Sequence, residues 1–142
     1  MLADQAFREK VCEAQRVTSW TVAITAAGAG MSVVVDQKRP AEGIPSFAKK
    51  IVGSEIHILQ EETWSDSSRA SLHVSIPGKP GDLKATIILA GDGAGAVETV
   101  EGDVKVSFPL IGGKLESLIS NLLGAALRSE QEVGRAWLAG ER

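Results

Sequence analysis

The spacing of apolar residues changes period along the chain. Leu2, Ala6, Phe7, Val11 and Ala14 recur at the three-to-four spacing that places side chains on one face of a helix. From Ser19 the period is two: Trp20, Val22, Ile24 and Ala26 alternate with Ser19, Thr21, Ala23 and Thr25. A small-residue turn at Ala27, Gly28, Ala29 and Gly30 follows. Met31, Val33 and Val35 then carry the alternation into Lys38, which is the pattern of an antiparallel hairpin. Pro40, Gly43 and Pro45 interrupt regular structure, while Phe47, Ile51 and Val52 keep an apolar face. The stretch from Pro40 to Gly53 is expected to be a loop with a short helical turn, either a lid or a connector packed on the core.

Strand periodicity resumes at Glu55, with Ile56, Ile58, Gln60, Glu62 and Trp64 on one face. Asp66, Ser67 and Ser68 turn the chain, and Ala70, Leu72, Val74 and Ile76 face one way in the next strand. Placing Trp64 opposite Ala70 matches the two apolar faces and sets the register. After a loop from Pro77 to Asp82, Leu83, Ala85, Ile87 and Leu89 mark a further strand. Gly91 to Gly95 turns again, and a last strand runs to Phe108, where Gly102 predicts a bulge or sharp bend. Ile111, Leu115, Leu118, Ile119, Leu122, Leu123, Ala126, Val133 and Trp137 then form one broad stripe. This predicts an amphipathic helix of roughly 28 residues, its regular part beginning near Lys114. A helix, six antiparallel strands and a long helix make an α+β chain in which the last helix covers a curved sheet.

Composition adds boundaries. At 142 residues, 44% apolar and 23% charged, the chain is expected to form one domain with a real core. A net charge of -3 without a basic block argues against a nucleic-acid face. Cys12 is the lone cysteine, so no internal disulfide forms. The first residues lack the basic and apolar regions of a signal peptide, and no apolar run reaches the roughly 18 residues that span a bilayer. A cytoplasmic location without stable membrane insertion is the expectation.

Two glycine motifs resemble phosphate sites. Gly112, Gly113 and Lys114 follow a strand, but Phe108 and Leu115 stand where a phosphate loop needs Gly and Ser or Thr. Gly91 to Ala96 fits Gly-x-Gly-x-x-Ala, but strand-like Val97 to Val100 follows in place of the helix that would hold a pyrophosphate. Both read better as backbone turns. His57 and His73 point away from the apolar face, with His73 opposite Glu61. His57 and Glu61 are roughly 13 Å apart, too far to share a metal. No catalytic set, metal site or cofactor motif emerges. The informative residues are polar ones on apolar faces: Gln60 and Glu62 beside Ile58 and Trp64, and Ser129 and Glu130 on the helical stripe. Charge facing a core costs several kcal/mol unless paired or wet. These groups therefore lie at an open rim or in a cavity that holds water or ligand.

The stretches RPAEGIPSFAKKIVG, QEETW, GDVKVSFPLIGGKLESLI and SEQEVGRAWL resemble a bacterial domain family of unknown function in the START/Bet v 1-like superfamily, also called polyketide-cyclase-like or SRPBCC. The resemblance covers nearly the whole chain and is most specific from Val104 to Leu118. It implies a helix-grip fold, in which a curved antiparallel sheet wraps a long C-terminal helix around a hydrophobic cavity. Relatives usually open with a strand before the first helix. Here Met1 falls inside that helix, so the strands Ser19–Ala27 and Asp103–Phe108 are expected to have open edges, available for pairing with a second copy. The resemblance implies a ligand site rather than a reaction.

From the two lines together, the expected function is binding of a small apolar molecule, lipid or polyketide-like. The expected walls are Ile58, Trp64, Leu72, Val74, Ile87, Val106, Phe108, Leu115, Leu118, Leu122 and Ala126, with Gln60, Glu62 and Glu130 orienting a polar end. Two rivals stand beside it. One is a cyclase- or hydrolase-like enzyme using Glu62 or Glu130 as acid or base. The other is an interaction module with a filled core.

Overall fold

The computed structural model describes all 142 residues. Helix α1 (Gln5–Ala14) is followed by strands β1 (Ser19–Ala27) and β2 (Gly30–Pro40) and the short helix α2 (Ser46–Val52). Strands β3 (Glu55–Trp64), β4 (Arg69–Ser75), β5 (Asp82–Gly91) and β6 (Ala96–Lys105) lead to helix α3 (Gly112–Leu138). The strands form one curved antiparallel sheet in sequence order, and α3 is the long helix of a helix-grip arrangement. No helix is long and apolar enough to cross a membrane.

The register follows the apolar pattern. Trp64 lies opposite Ala70, and His73 lies opposite Glu61. This parity turns Val33 and Val35 of β2, Glu62 and Trp64 of β3, Leu72 of β4 and Leu83 and Ile87 of β5 toward one face, where all are buried. Helix α1 packs on α3 and β1. Phe7 and Trp137 join the two helices edge to face, with ring centroids 5.6 Å apart. A separate cluster of Ala48, Val106 and Leu115, with Phe47, Ile51 and Leu118 around it, fastens α2 to the start of α3. The excursion after Pro40 is therefore anchored to the core at α2.

Four expectations need correction. Helix α1 begins at Gln5, because the Asp4 carboxylate caps it by accepting from the Ala6 amide at 2.9 Å. Met1 lies before the helix. Strand β6 stops at Lys105 rather than Phe108; Leu110 has a left-handed φ of 69° and is fully exposed. Helix α3 starts at Gly112, where a Cβ would meet the Val106 carbonyl oxygen at 2.8 Å. The double glycine thus lets the helix turn back against the end of the sheet. Gly102 marks no bulge: pairing runs unbroken from Asp82 with Lys105 to Gly91 with Ala96. A Cβ at Gly102 would lie 2.1 Å from the Lys84 carbonyl oxygen, so close approach of β5 is what requires glycine there. Strand β1 pairs only with β2 and β6 only with β5, so each leaves one edge open.

Candidate functional site

The concave face of the sheet and the two helices enclose a cavity of about 240 Å³. That is slightly below the roughly 300–1,000 Å³ typical of small-molecule sites. Apolar wall comes from Ile56, Ile58, Leu72, Val74, Leu83, Ile87 and Val100 on the sheet. Helix α3 adds Ile119, Leu122, Leu123, Ala126 and Leu127. The cavity reaches the surface between the Pro40–Ile44 segment and Pro80–Asp82, where Glu42, Gly43 and Pro80 are exposed.

Of the residues expected to line the site, Ile58, Gln60, Glu62, Leu72, Val74, Ile87, Leu122, Ala126 and Glu130 do line this cavity. Trp64, Val106, Phe108, Leu115 and Leu118 do not. Trp64 is packed in the main core beside it. Val106, Leu115 and Leu118 belong to the contact with α2. Phe108 lies beyond the end of β6 and is exposed. Alternation along β6 could not reveal this, because the strand ends before Val106 and the chain then turns toward α3.

The polar residues of β3 are tied to α1. Arg8 and Glu62 are both buried, at 4% and 3% exposure. Arg8 donates Nη1 to Oε1 and Nη2 to Oε2 of Glu62, at 2.9 and 2.8 Å, and Nε to the Leu2 carbonyl at 2.8 Å. Gln60 Nε2 donates to Glu62 Oε1 and Trp64 Nε1 to Oε2, both at 2.8 Å. The period-two spacing of residues 60, 62 and 64 puts all three on one strand face, which is why they meet. Glu62 therefore accepts four hydrogen bonds and is neutralised within the fold. This leaves it poorly placed to act as an acid or base.

The second polar group joins β6 to α3. Glu98 and Glu130 line the cavity and lie within hydrogen-bonding reach of each other. Burial pushes the Glu130 carboxyl up to about 7, with further push from the charges of Glu98 and Glu62 and a partial offset from Arg8. Burial and the Glu62 charge also raise Glu98, against the pull of Arg8 and the hydrogen bond to Glu130. Each carboxyl thus holds its proton more tightly than an isolated, solvated one.

Arg8, Glu98 and Gln37 were not singled out from the sequence. Arg8 falls beside Phe7, Val11 and Cys12 on the buried side of α1, and a carboxylate on an apolar strand face calls for a cation. Glu98 shares a face with Val100, Gly102 and Val104. Gln37 continues the buried alternation of Val33 and Val35. Those spacings carry the signal, but only the curvature of the sheet brings the residues to one cavity. Cys12 lines the wall as a buried thiol pushed up to about 11, chiefly by burial, and so stays protonated. The histidines lie on the opposite face: His57 Nε2 meets Asp36 at 2.6 Å, and His73 Nε2 meets Asp82 at 3.3 Å. No group of three or more His, Cys, Asp or Glu side chains is arranged to hold a metal ion.

Comparison with known proteins gives a family and a fold. The family described as "Protein of unknown function (DUF2505)" matches residues 1–138. Uncharacterised proteins of Mycobacterium tuberculosis and Mycobacterium bovis are 28% identical over 114 residues, which is 76% of this chain. The chain spans 66% of the length of those relatives, just under two thirds. The crystal structure of the protein TTHA0849 from Thermus thermophilus superposes with a TM-score of 0.60 at 19% identity, over 95% of this chain and 85% of that one. At that identity the likeness concerns the fold alone.

Proposed function

The chain belongs to the DUF2505 family, and on that footing we propose that it binds a small, largely apolar molecule in the cavity between the sheet and α3. We take residues 1–142 as one START/Bet v 1-like domain, on the strength of the element order and the helix-grip arrangement. The observation that carries the reading is the cavity itself. Its wall is mostly hydrophobic, with a few carboxyl and amide groups gathered inside it, the usual form of a small-molecule site. A protein selected only for packing would gain stability by filling such a space.

In this reading Ile58, Leu72, Val74, Ile87, Leu122 and Ala126 hold the apolar body. Glu130, with Glu98, faces the polar end. Gln60 and Glu62 hold the wall in place, because their hydrogen bonds are already made. The test is mass spectrometry of purified protein, native and then denatured with solvent extraction. A stoichiometric small molecule released on denaturation is the expected result. If the protein is empty and an apolar dye gains no fluorescence with it, the reading fails.

A second reading is favoured by one observation, the Glu130 carboxyl raised to about 7 inside a cavity. A carboxyl with that affinity for a proton serves as a general acid or base near neutral pH, as a cyclase- or hydrolase-like reaction requires. Turnover of a bound ester or polyketide that disappears in Glu130→Gln would favour it. Stable, unaltered ligand in the wild-type protein would count against it.

A further inference from the structure

The charged groups lining the cavity are unequal in sign: Arg8 and Arg39 face it together with Glu42, Glu62, Asp82, Glu98 and Glu130. Arg8 is spent on Glu62. No salt bridge joins Arg39 to a carboxylate, but it shares the mouth with Glu42 and Asp82. No salt bridge joins a cation to Glu98 or Glu130, and Arg8 offsets their charge only from within its pair with Glu62.

Several donors in the wall are engaged: Arg8 with Glu62 and the Leu2 carbonyl, Gln60 with Glu62, and Gln15 Nε2 with the Ala126 carbonyl at 3.2 Å. The Gln37 amide nitrogen and the Arg39 guanidinium make no side-chain hydrogen bond, and unengaged acceptors remain as well. Besides the two carboxyls, Gln37 lines the cavity at 7% exposure, and its Oε1 accepts no hydrogen bond. A buried acceptor without a donor is destabilising.

We infer that the ligand is an amphipathic organic cation, a primary or secondary ammonium on a short apolar body, whose charged end is held by Glu98 and Glu130. This rests on the apolar-ligand reading above and adds the sign of the polar end. Arg8 and Glu62 cancel, so any net charge of this group is the negative charge of Glu98 and Glu130. A monocation offsets that charge, whereas a carboxylate-ended lipid adds to it. An ammonium also supplies donors, which suits the two carboxyls. The modest volume favours a body of fatty-amine or arylethylamine size over a sterol.

The experiment compares octylammonium, 1-octanol and octanoate, three probes with one tail and different heads. Each is titrated near neutral pH into the full chain by calorimetry. Octylammonium is expected to bind about ten- to a hundredfold more tightly than octanol, the range of one added charge-assisted hydrogen bond. Octanoate is expected to bind more weakly than octanol. The pair Glu98→Gln/Glu130→Gln should bring the amine to within about threefold of the alcohol. A thermal melt checks that the variant is folded; if the double variant does not fold, Glu130→Gln alone is used with the same readout. Octanol or octanoate matching the amine overturns the cation, while the apolar-ligand reading survives. An amine preference that persists in the variant overturns the role of the two glutamates. Failure of all three probes to bind overturns the apolar-ligand reading, and this inference with it.

Discussion

Replacing Arg8 by methionine should remove a large part of the stability of this protein. The substitution keeps most of the apolar stem and deletes the guanidinium. Glu62, 3% exposed, then retains only the Gln60 and Trp64 donors. Breaking a buried ion pair from one side costs about 3–5 kcal/mol, because a charge is left uncompensated. With a urea m-value of about 2 kcal/mol per M, the denaturation midpoint should fall by roughly 2 M. The second variant, Arg8→Met/Glu62→Gln, removes the charge and keeps a carbonyl that accepts from Trp64 or Gln60. It should recover more than half of the loss, leaving a deficit of about 1–2 kcal/mol. The assay is urea denaturation followed by tryptophan fluorescence, with m-values compared to verify a common unfolded state. A single variant within about 1 kcal/mol of wild type would refute the argument. It would mean that cavity water solvates Glu62 as well as Arg8 does.

Other expectations follow from the same geometry. Glu130, raised to about 7 in the fold against about 4.5 ordinarily, contributes stability that is fully present below about pH 4.5 and is lost as pH rises through 7. The full span would be about 3 kcal/mol at 1.36 per tenfold, and partial exposure reduces it to on the order of 1–2. Thermal melts of Glu130→Gln should lose this slope and exceed wild type at pH 8; parallel profiles would show the carboxyl to be ordinary. Ala126→Phe should fill the cavity and lower uptake of an apolar dye at least about tenfold without lowering the melting temperature; unchanged uptake would place the ligand elsewhere. Gly102→Ala should cost about 1–3 kcal/mol in urea denaturation, because its Cβ meets the Lys84 carbonyl oxygen at 2.1 Å. Phe7→Ala should cost about 3–5 kcal/mol by removing the fully buried ring that joins α1 to Trp137.

The sequence by itself determined the element order, the register of the central strands and the apolar face of α3. These are properties of local period: a two-residue repeat puts Trp64 and Ala70 on one face, and a helical repeat aligns Leu115 with Leu122 and Ala126 whatever lies opposite. It also marked Gln60, Glu62 and Glu130 as polar residues on apolar faces. The identity of their partners was decided only by the tertiary structure. Arg8 is 54 positions from Glu62, and Glu98 is joined to Glu130 by the return of α3 across the sheet. No spacing rule reaches across such distances. The division of the apolar residues between cavity and solid core was likewise set by curvature and by where β6 ends. Ile58 and Val106 look alike as strand positions, yet one faces the cavity and the other closes against α2. Period assigns a residue to a face, and only the packing of elements against one another decides whether that face meets a side chain or open space.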